Sequence, residues 1–412
     1  MAHEAHGTDS AAPTGGRLAT STRSTLLGAM FLMATSAIGP GFITQTTTFT
    51  VRLGAAFAFA IVISILVDIA LQLNVWRVIG VSGRRAQELG NLVLPGLGWV
   101  MAAFLLVGGL VFNIGNVAGS GLGLDAMLGL DPKLGGALSA LIAIGIFLSK
   151  KAGLAVDRIV VVLGLVMIVL TTYVAFTSGP PVGEALKNVV LPEQVDVLAI
   201  TTLVGGTIGG YIVYAGAHRL LDSGVSGAGH VRDITRGSIT GILITAVMRV
   251  VLFLAILGVV AGGAALDPAS PAASAFQQAA GEVGLRVFGI VLWAAAITSV
   301  IGASYTSVSF VTSRTTSDRT RTLLVVGFIA VTTAVYLLIG TAPTTLLVFA
   351  GAFNGLLLPI GIAVLLWVAT RRADLLNGYR YPRWLLVVGW VAWLLTLVLA
   401  VRSVQPVIDL FR

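Results

Sequence analysis

Eleven runs of mostly apolar residues divide this chain, near 24–50, 53–80, 93–119, 134–149, 154–177, 199–222, 236–262, 283–313, 320–341, 343–370 and 384–402. A helix needs about 20 such residues to cross the hydrocarbon core of a bilayer. The runs lack the alternating ten-residue pattern of an outer-membrane barrel strand. Charged residues make up only 10% of the 412, against roughly 25% in a soluble domain. That excludes a soluble globular, disordered or collagen-like chain. The expected fold is an all-α integral membrane protein with 11 transmembrane helices. Cysteine is absent, so disulfides, thiolate metal sites and thiol catalysis are excluded.

The net charge of +8 does not point to nucleic acid, because the basic residues stand singly or in pairs between apolar runs and form no patch. They act as topology signals. With the N-terminus inside, 18 of the 25 Lys and Arg residues fall on the cytoplasmic side and six on the other, while Arg249 lies within a run. This bias predicts a multi-pass protein of the cell (plasma or inner) membrane with a cytoplasmic N-terminus and an extracytoplasmic C-terminus. Residues 1–23 are small and polar, lack the pattern of a secretory signal, and read as a disordered cytoplasmic tail.

Two runs are interrupted at corresponding places. The first reads Ser36-Ala37-Ile38-Gly39-Pro40-Gly41-Phe42, and the sixth Gly205-Gly206-Thr207-Ile208-Gly209-Gly210-Tyr211. One glycine cluster would be read as close helix packing. Two clusters, five runs apart, point to an inverted-repeat transporter with broken helices 1 and 6.

At these breaks the chain resembles the natural resistance-associated macrophage protein (NRAMP) family of proton-coupled divalent-metal transporters. The family's first span carries Asp-Pro-Gly-Asn, then a Phe-Gly pair, then a second span ending in Leu-Leu-Gln. Here Gly39-Pro40-Gly41-Phe42 is followed by Leu53-Gly54 and by Leu71-Gln72. The family's sixth-span Gly-Ala-Thr-Val-Met-Pro-His-Asn-Leu-Tyr is matched by Gly205 to Tyr214, and its tenth-span Leu-Gln-Leu-Pro resembles Leu356-Leu357-Leu358-Pro359. The resemblance implies the leucine-transporter fold, a 5+5 inverted repeat. The repeats would be 24–177 and 199–370, separated by an extracytoplasmic loop at 178–198 and followed by an eleventh helix and short C-terminus at 371–412.

The departures are informative. The family's metal ligands, the Asp and Asn of span 1 and the Met of span 6, fall on Gly39, Phe42 and Gly209. Those side chains offer no donor to a divalent ion. The third-span Asp and Glu fall on Asn113 and Asn116, the sixth-span His residues on Tyr211 and Gly216, and the tenth-span Gln on Gly351. The scaffold looks retained while its metal and proton chemistry looks erased. No metal site and no cofactor are expected.

A helix broken at mid-membrane exposes N–H groups at the positive end of a dipole, which suits an anionic substrate. Gly39, Pro40, Gly41 and Phe42, with Gly209, Gly210 and Tyr211, are therefore candidate substrate-binding residues. Phe42 and Tyr211 would clasp an apolar ring or stem. Gln45 and the threonines Thr44 and Thr46 to Thr48 would supply neutral hydrogen bonds, unless the threonines bond back to their own helix. Asn113 and Asn116, one turn apart, would line the path or join helices. Asp68 and Arg249 lie deep in runs 2 and 7, where a lone charge costs at least about 2.5 kcal/mol. Either they pair with each other, or Arg249 meets a substrate carboxylate, or Asp68 carries a coupled proton, or one of them faces water or backbone. His218 is a further proton candidate.

The expected function is secondary active import of a small organic anion or amino-acid-like solute, with H+ as a possible coupling ion. Similarity to a branch of pyroglutamate (5-oxoproline) carriers suggests that compound. The alternative is a Mg2+ or Mn2+ transporter with a diverged site. An enzyme is not expected, because H-E-x-x-H, G-x-S-x-G and paired intramembrane carboxylates are all missing. The expected partners are the lipid bilayer and a small carboxylate.

Overall fold

The computed structural model describes residues 37–149, 165–222, 224–312 and 316–411. The tail at 1–23 and most of the first predicted run before the break lie outside them. Every regular element among the described residues is helical. Helices satisfy their backbone groups internally, as a lipid surrounding demands.

Gly39 caps α1 (Pro40–Leu53) in an extended conformation, and Pro40 fills the first helical position, where its missing N–H costs nothing. A tight turn at Gly54–Ala56 leads into α2 (Phe57–Ser82). Then come α3 (Ala86–Val93), α4 (Leu97–Leu128) and α5 (Pro132–Leu148). Helices α6 (Leu165–Thr177) and α7 (Val182–Val190) meet at a 102° bend. The sixth run forms α8 (Val197–Ile208) and α9 (Ile212–Asp222). The remaining helices are α10 (Val231–Ala261), α11 (Pro271–Ser309), α12 (Asp318–Leu338), α13 (Pro343–Arg371) and α14 (Arg383–Asp409).

Over its described residues, each predicted run overlaps one of these helices or a broken pair, while 24–36 of the first run and 154–164 of the fifth lie outside them. Among the described residues, eight helical stretches are long and apolar enough to cross a membrane, or nine with the bent α6–α7 pair. Three of the eight, Pro40–Ser82, Val197–Asp222 and Ala228–Ala261, are composite, and α5 is a shorter apolar helix. Three features depart from the sequence reading. Helix α3 follows α2 as a separate short segment, α7 fills the predicted loop at 178–198, and α11 begins at Pro271 and kinks at Ala280–Gly281.

Glycine sets the helix spacing where backbones touch. A Cβ on Gly205 of α8 would lie 2.0 Å from the Gly351 carbonyl oxygen and 2.3 Å from the Gly355 nitrogen of α13. Such small-residue crossings let membrane helices gain contact without a hydrophobic driving force. The apolar interior falls into three clusters. The largest joins α2, α8, α9 and α13, the second joins α1, α6, α10 and α11, and the third joins α4, α5, α11 and α12. Outward faces carry exposed Leu323, Leu338, Val391 and Val401, as a lipid-facing surface would.

Candidate functional site

The two breaks are built differently. In the sixth run, α8 ends at Gly209, whose backbone is extended, and Gly210 adopts φ +53. A side chain at 210 would be strained there and would also collide with Asn354 of α13, whose Oδ1 lies 2.1 Å from the position of a Cβ. In the first run, Gly39 lies against Ser299 of α11 and Asn116 of α4, which stand 2.8 Å (Oγ) and 3.7 Å (Oδ1) from where its Cβ would be. Gly119 of α4 seats the Pro40 ring in the same way. These glycines thus admit neighbouring groups at close range.

Arg249 of α10 reaches both breaks. It is 2% exposed, and its Nη1 donates to Thr207 Oγ1 at 2.8 Å, just before the sixth break. Its guanidinium lies over the Phe42 ring, 4.4 Å from the centroid, in the first turn after the other break. Cation–π contact of this kind is strengthened by desolvation. The opposite edge of the guanidinium, Nε with Nη2, has no hydrogen-bond partner. That edge presents two parallel N–H groups, the fork that grips a carboxylate.

Asp68 of α2 is 1% exposed, and it does not form a direct ion pair with Arg249. Thr207 takes up one edge of Arg249: its hydroxyl accepts from Nη1 and donates its own proton to Leu203 O at 2.8 Å. Asp68 Oδ1 has no hydrogen-bond partner. The Nε–Nη2 edge of Arg249 therefore stays available for an acceptor. The direct Asp68–Arg249 ion pair expected as one alternative is not formed, and Thr207, given no role from sequence, is the hydroxyl that Arg249 engages.

The remaining candidates separate. Gln45 is fully buried, donates from Nε2 to Leu347 O at 2.9 Å, and is wedged against Gly206 and Gly351; its Oε1 has no partner. Asn116 stays beside Gly39 with its Nδ2 unpaired. Asn113 instead joins α4 to α11 and α12 through Ser304 and Thr332, at 3.1 and 2.9 Å. Tyr211 packs edge-on against Phe112 in a different apolar cluster from Phe42, so the clasp expected of the two rings is not assembled in this conformation. Thr46 and Thr47 bond back to Phe42 O and Ile43 O on their own helix. His218, two turns beyond the break, lies 3.3 Å from Ser309 Oγ and against Phe310. Asn354 and Ser299 were missed from sequence. Their only signal was a polar residue inside an apolar run.

One end of the bundle carries a latch. Arg85, 2% exposed at the start of α3, bonds Asp222 of α9 at 2.8 Å and also the Ser309 and Thr312 carbonyls at the end of α11, at 2.9 and 3.2 Å. The half-helix beyond the sixth break is thereby tied to α3 and α11.

Comparison with known proteins places this architecture. The chain matches the natural resistance-associated macrophage protein-like (Nramp) family over residues 30–405. It belongs to the Nramp family. The membrane protein YcsG of Bacillus subtilis (strain 168) is 52% identical over 382 residues, spanning 92% of this chain and 93% of the relative. A membrane protein of Haemophilus influenzae is 50% identical over 393 residues, spanning 95% and 98%. Among solved structures, a variant of the Eremococcus coleocola manganese transporter superposes with a TM-score of 0.73 at 19% identity, covering 97% of this chain and 90% of that one. MhsT in complex with L-phenylalanine superposes at 0.66 and 16%, covering 91% and 98%. The fold is thus that of Nramp and leucine-transporter-type carriers, and this Nramp chain is a multi-pass membrane transporter and not an enzyme. Among the described residues no group of three or more His, Cys, Asp or Glu side chains is placed to hold a metal ion.

Proposed function

We propose that this Nramp protein is a secondary active transporter that moves a small organic anion by alternating access, with the substrate carboxylate held by the Nε–Nη2 edge of Arg249. The observation that carries this reading is that edge: buried, unpaired, and set between the two broken helices. A buried guanidinium donor without a partner is expensive, so the site is organised for an acceptor that arrives from outside. Phe42 backs the guanidinium plane, and Asn116 and Gln45 keep one unpaired polar atom each for the neutral part of a substrate. Pyroglutamate, a compact monocarboxylate with a lactam, matches this donor and acceptor set. The same reading takes eleven membrane crossings in two five-helix repeats, a cytoplasmic N-terminus and an extracytoplasmic C-terminus, from the distribution of Lys and Arg.

A divalent-metal reading draws on the fold shared with a manganese transporter. Against it, the first and sixth breaks offer Gly39, Phe42 and Gly209 where a hard or borderline ion needs side-chain donors. Ligand-dependent thermal stabilisation separates the two, because a ligand that binds only the folded state raises its stability by mass action. Purified protein should be stabilised by pyroglutamate or another small monocarboxylate, and Arg249→Gln should abolish the shift. Stabilisation by Mn2+ or Mg2+ alone would overturn the anion reading.

A further inference from the structure

Arg249 is not alone in lacking a carboxylate. Arg77 of α2 is 8% exposed, and among the described residues it takes part in no ion pair. Its Nη2 donates to Thr235 Oγ1 of α10 at 2.7 Å, while its Nε is buried with no partner. A buried guanidinium in that state is costly, so an anion from outside the chain would relieve it. The surroundings indicate which kind. Helix α2 packs against both α10 and α14. On the α10 side, Ile234 lies against Gly80 and Gln72 donates to Ser238 O, which sets Thr235 beside Arg77. On the α14 side, the Tyr381 hydroxyl donates to Asn74 Oδ1 at 2.8 Å, one turn before Arg77, and lies close enough to feel the guanidinium charge. Exposed Arg232 and Arg236 bracket Thr235, and exposed Arg380 and Arg383 bracket Tyr381. Among the described residues none of these four is in an ion pair. Asp233 is the one carboxylate in the two bracketing segments. Helices α10 and α14 also begin here, so the positive ends of their dipoles add to the field.

We propose that Arg77 is the floor of a headgroup site for an anionic phospholipid, whose phosphate takes the unpaired Nε while Arg236 and Arg383 approach it from the two walls. A guanidinium suits phosphate, and basic pockets between transmembrane helices at headgroup level hold such lipids. Trp384, exposed directly after Arg383, sets this level at the membrane–water boundary. Beyond it, α10 and α14 turn Leu243, Val247, Val387 and Val391 outward, an apolar surface for the acyl chains. A soluble phosphate has the same head but nothing to lay along that surface, so the two features together favour the lipid. The proposal stands apart from the carboxylate reading of Arg249.

The test offers the purified full chain, stripped of lipid in detergent, equal amounts of phosphatidylglycerol and phosphatidylcholine with the same acyl chains. Native mass spectrometry counts what is retained. The wild type should hold one phosphatidylglycerol with about tenfold preference. Arg77→Gln should remove that preference. Arg402→Gln, an equal loss of charge at the exposed far end of α14, should keep it. If Arg77→Gln does not fold, the double variant Arg236→Gln/Arg383→Gln alters only exposed side chains and should weaken phosphatidylglycerol binding about fivefold for each arginine. Equal retention of the two lipids by the wild type would overturn the proposal, as would a preference untouched by the Arg77 and double variants. An equal loss in Arg402→Gln would reduce the effect to net charge and defeat it too. Displacement of the bound lipid by glycerol phosphate would make the occupant a soluble phosphate and count against the lipid.

Discussion

Replacing Gly210 by alanine would combine two penalties in one methyl group, a left-handed backbone and a collision with Asn354. The expected loss is about 1–3 kcal/mol, seen as a drop of several degrees in thermal unfolding. Gly145 provides the control: it lies within α5 with open space around its Cβ position, so alanine there should be neutral or mildly stabilising. At Arg249 the informative change is lysine, which keeps the charge and loses the planar fork. Arg249→Lys should weaken anion binding by about tenfold or more, measured by titration calorimetry. The sequence marked Arg249, Asp68 and the glycine breaks, because charge and glycine are conspicuous in apolar runs. It did not mark Thr207, Asn354 or Ser299. An apolar run shows that a polar residue needs a partner and not which neighbouring helix supplies it. The pairing of Asn113 with Ser304 and Thr332 depends on a crossing that no local pattern encodes.

Among the elements, α3 is too short to register as a span, having eight residues, yet its N-cap Arg85 holds a buried polar link at that end of the bundle. Arg85 secures α9, the half-helix whose other end forms the sixth break. Opening that end therefore requires the Arg85 bonds to part. The chain has no cysteine of its own, so a reporter is easily read. In a His218→Cys background, alkylation of this buried position should be slow, and adding Arg85→Ala should speed it by about tenfold or more, equivalent to about 1.4 kcal/mol. An unchanged rate would mean that α9 is held by packing alone. Long helices were legible because each run has the length of a bilayer crossing. Helix α7 and the early start of α11 were not, since short segments beside a membrane carry no such length constraint.

For the whole molecule, the predicted orientation has a direct check. Cysteine at Arg380, exposed before α14, should react with an impermeant maleimide only from the cytoplasmic face. Cysteine at Glu193, exposed after α7, should react only from outside. The reverse pattern would invert the topology. The candidate site is shut in the described conformation: Phe42, Gln45, Asp68, Tyr211 and Arg249 are each no more than 2% exposed. The cavity bordered by Gly210, Tyr214 and Gly361 holds about 10 Å3, no more than a single water. A plug this dry has a bioenergetic consequence. A copy resting in this conformation would give ions and protons no wet path past the described residues of the site, so the cell could keep many such carriers in a charged membrane without short-circuiting the gradients that other proteins spend fuel to build.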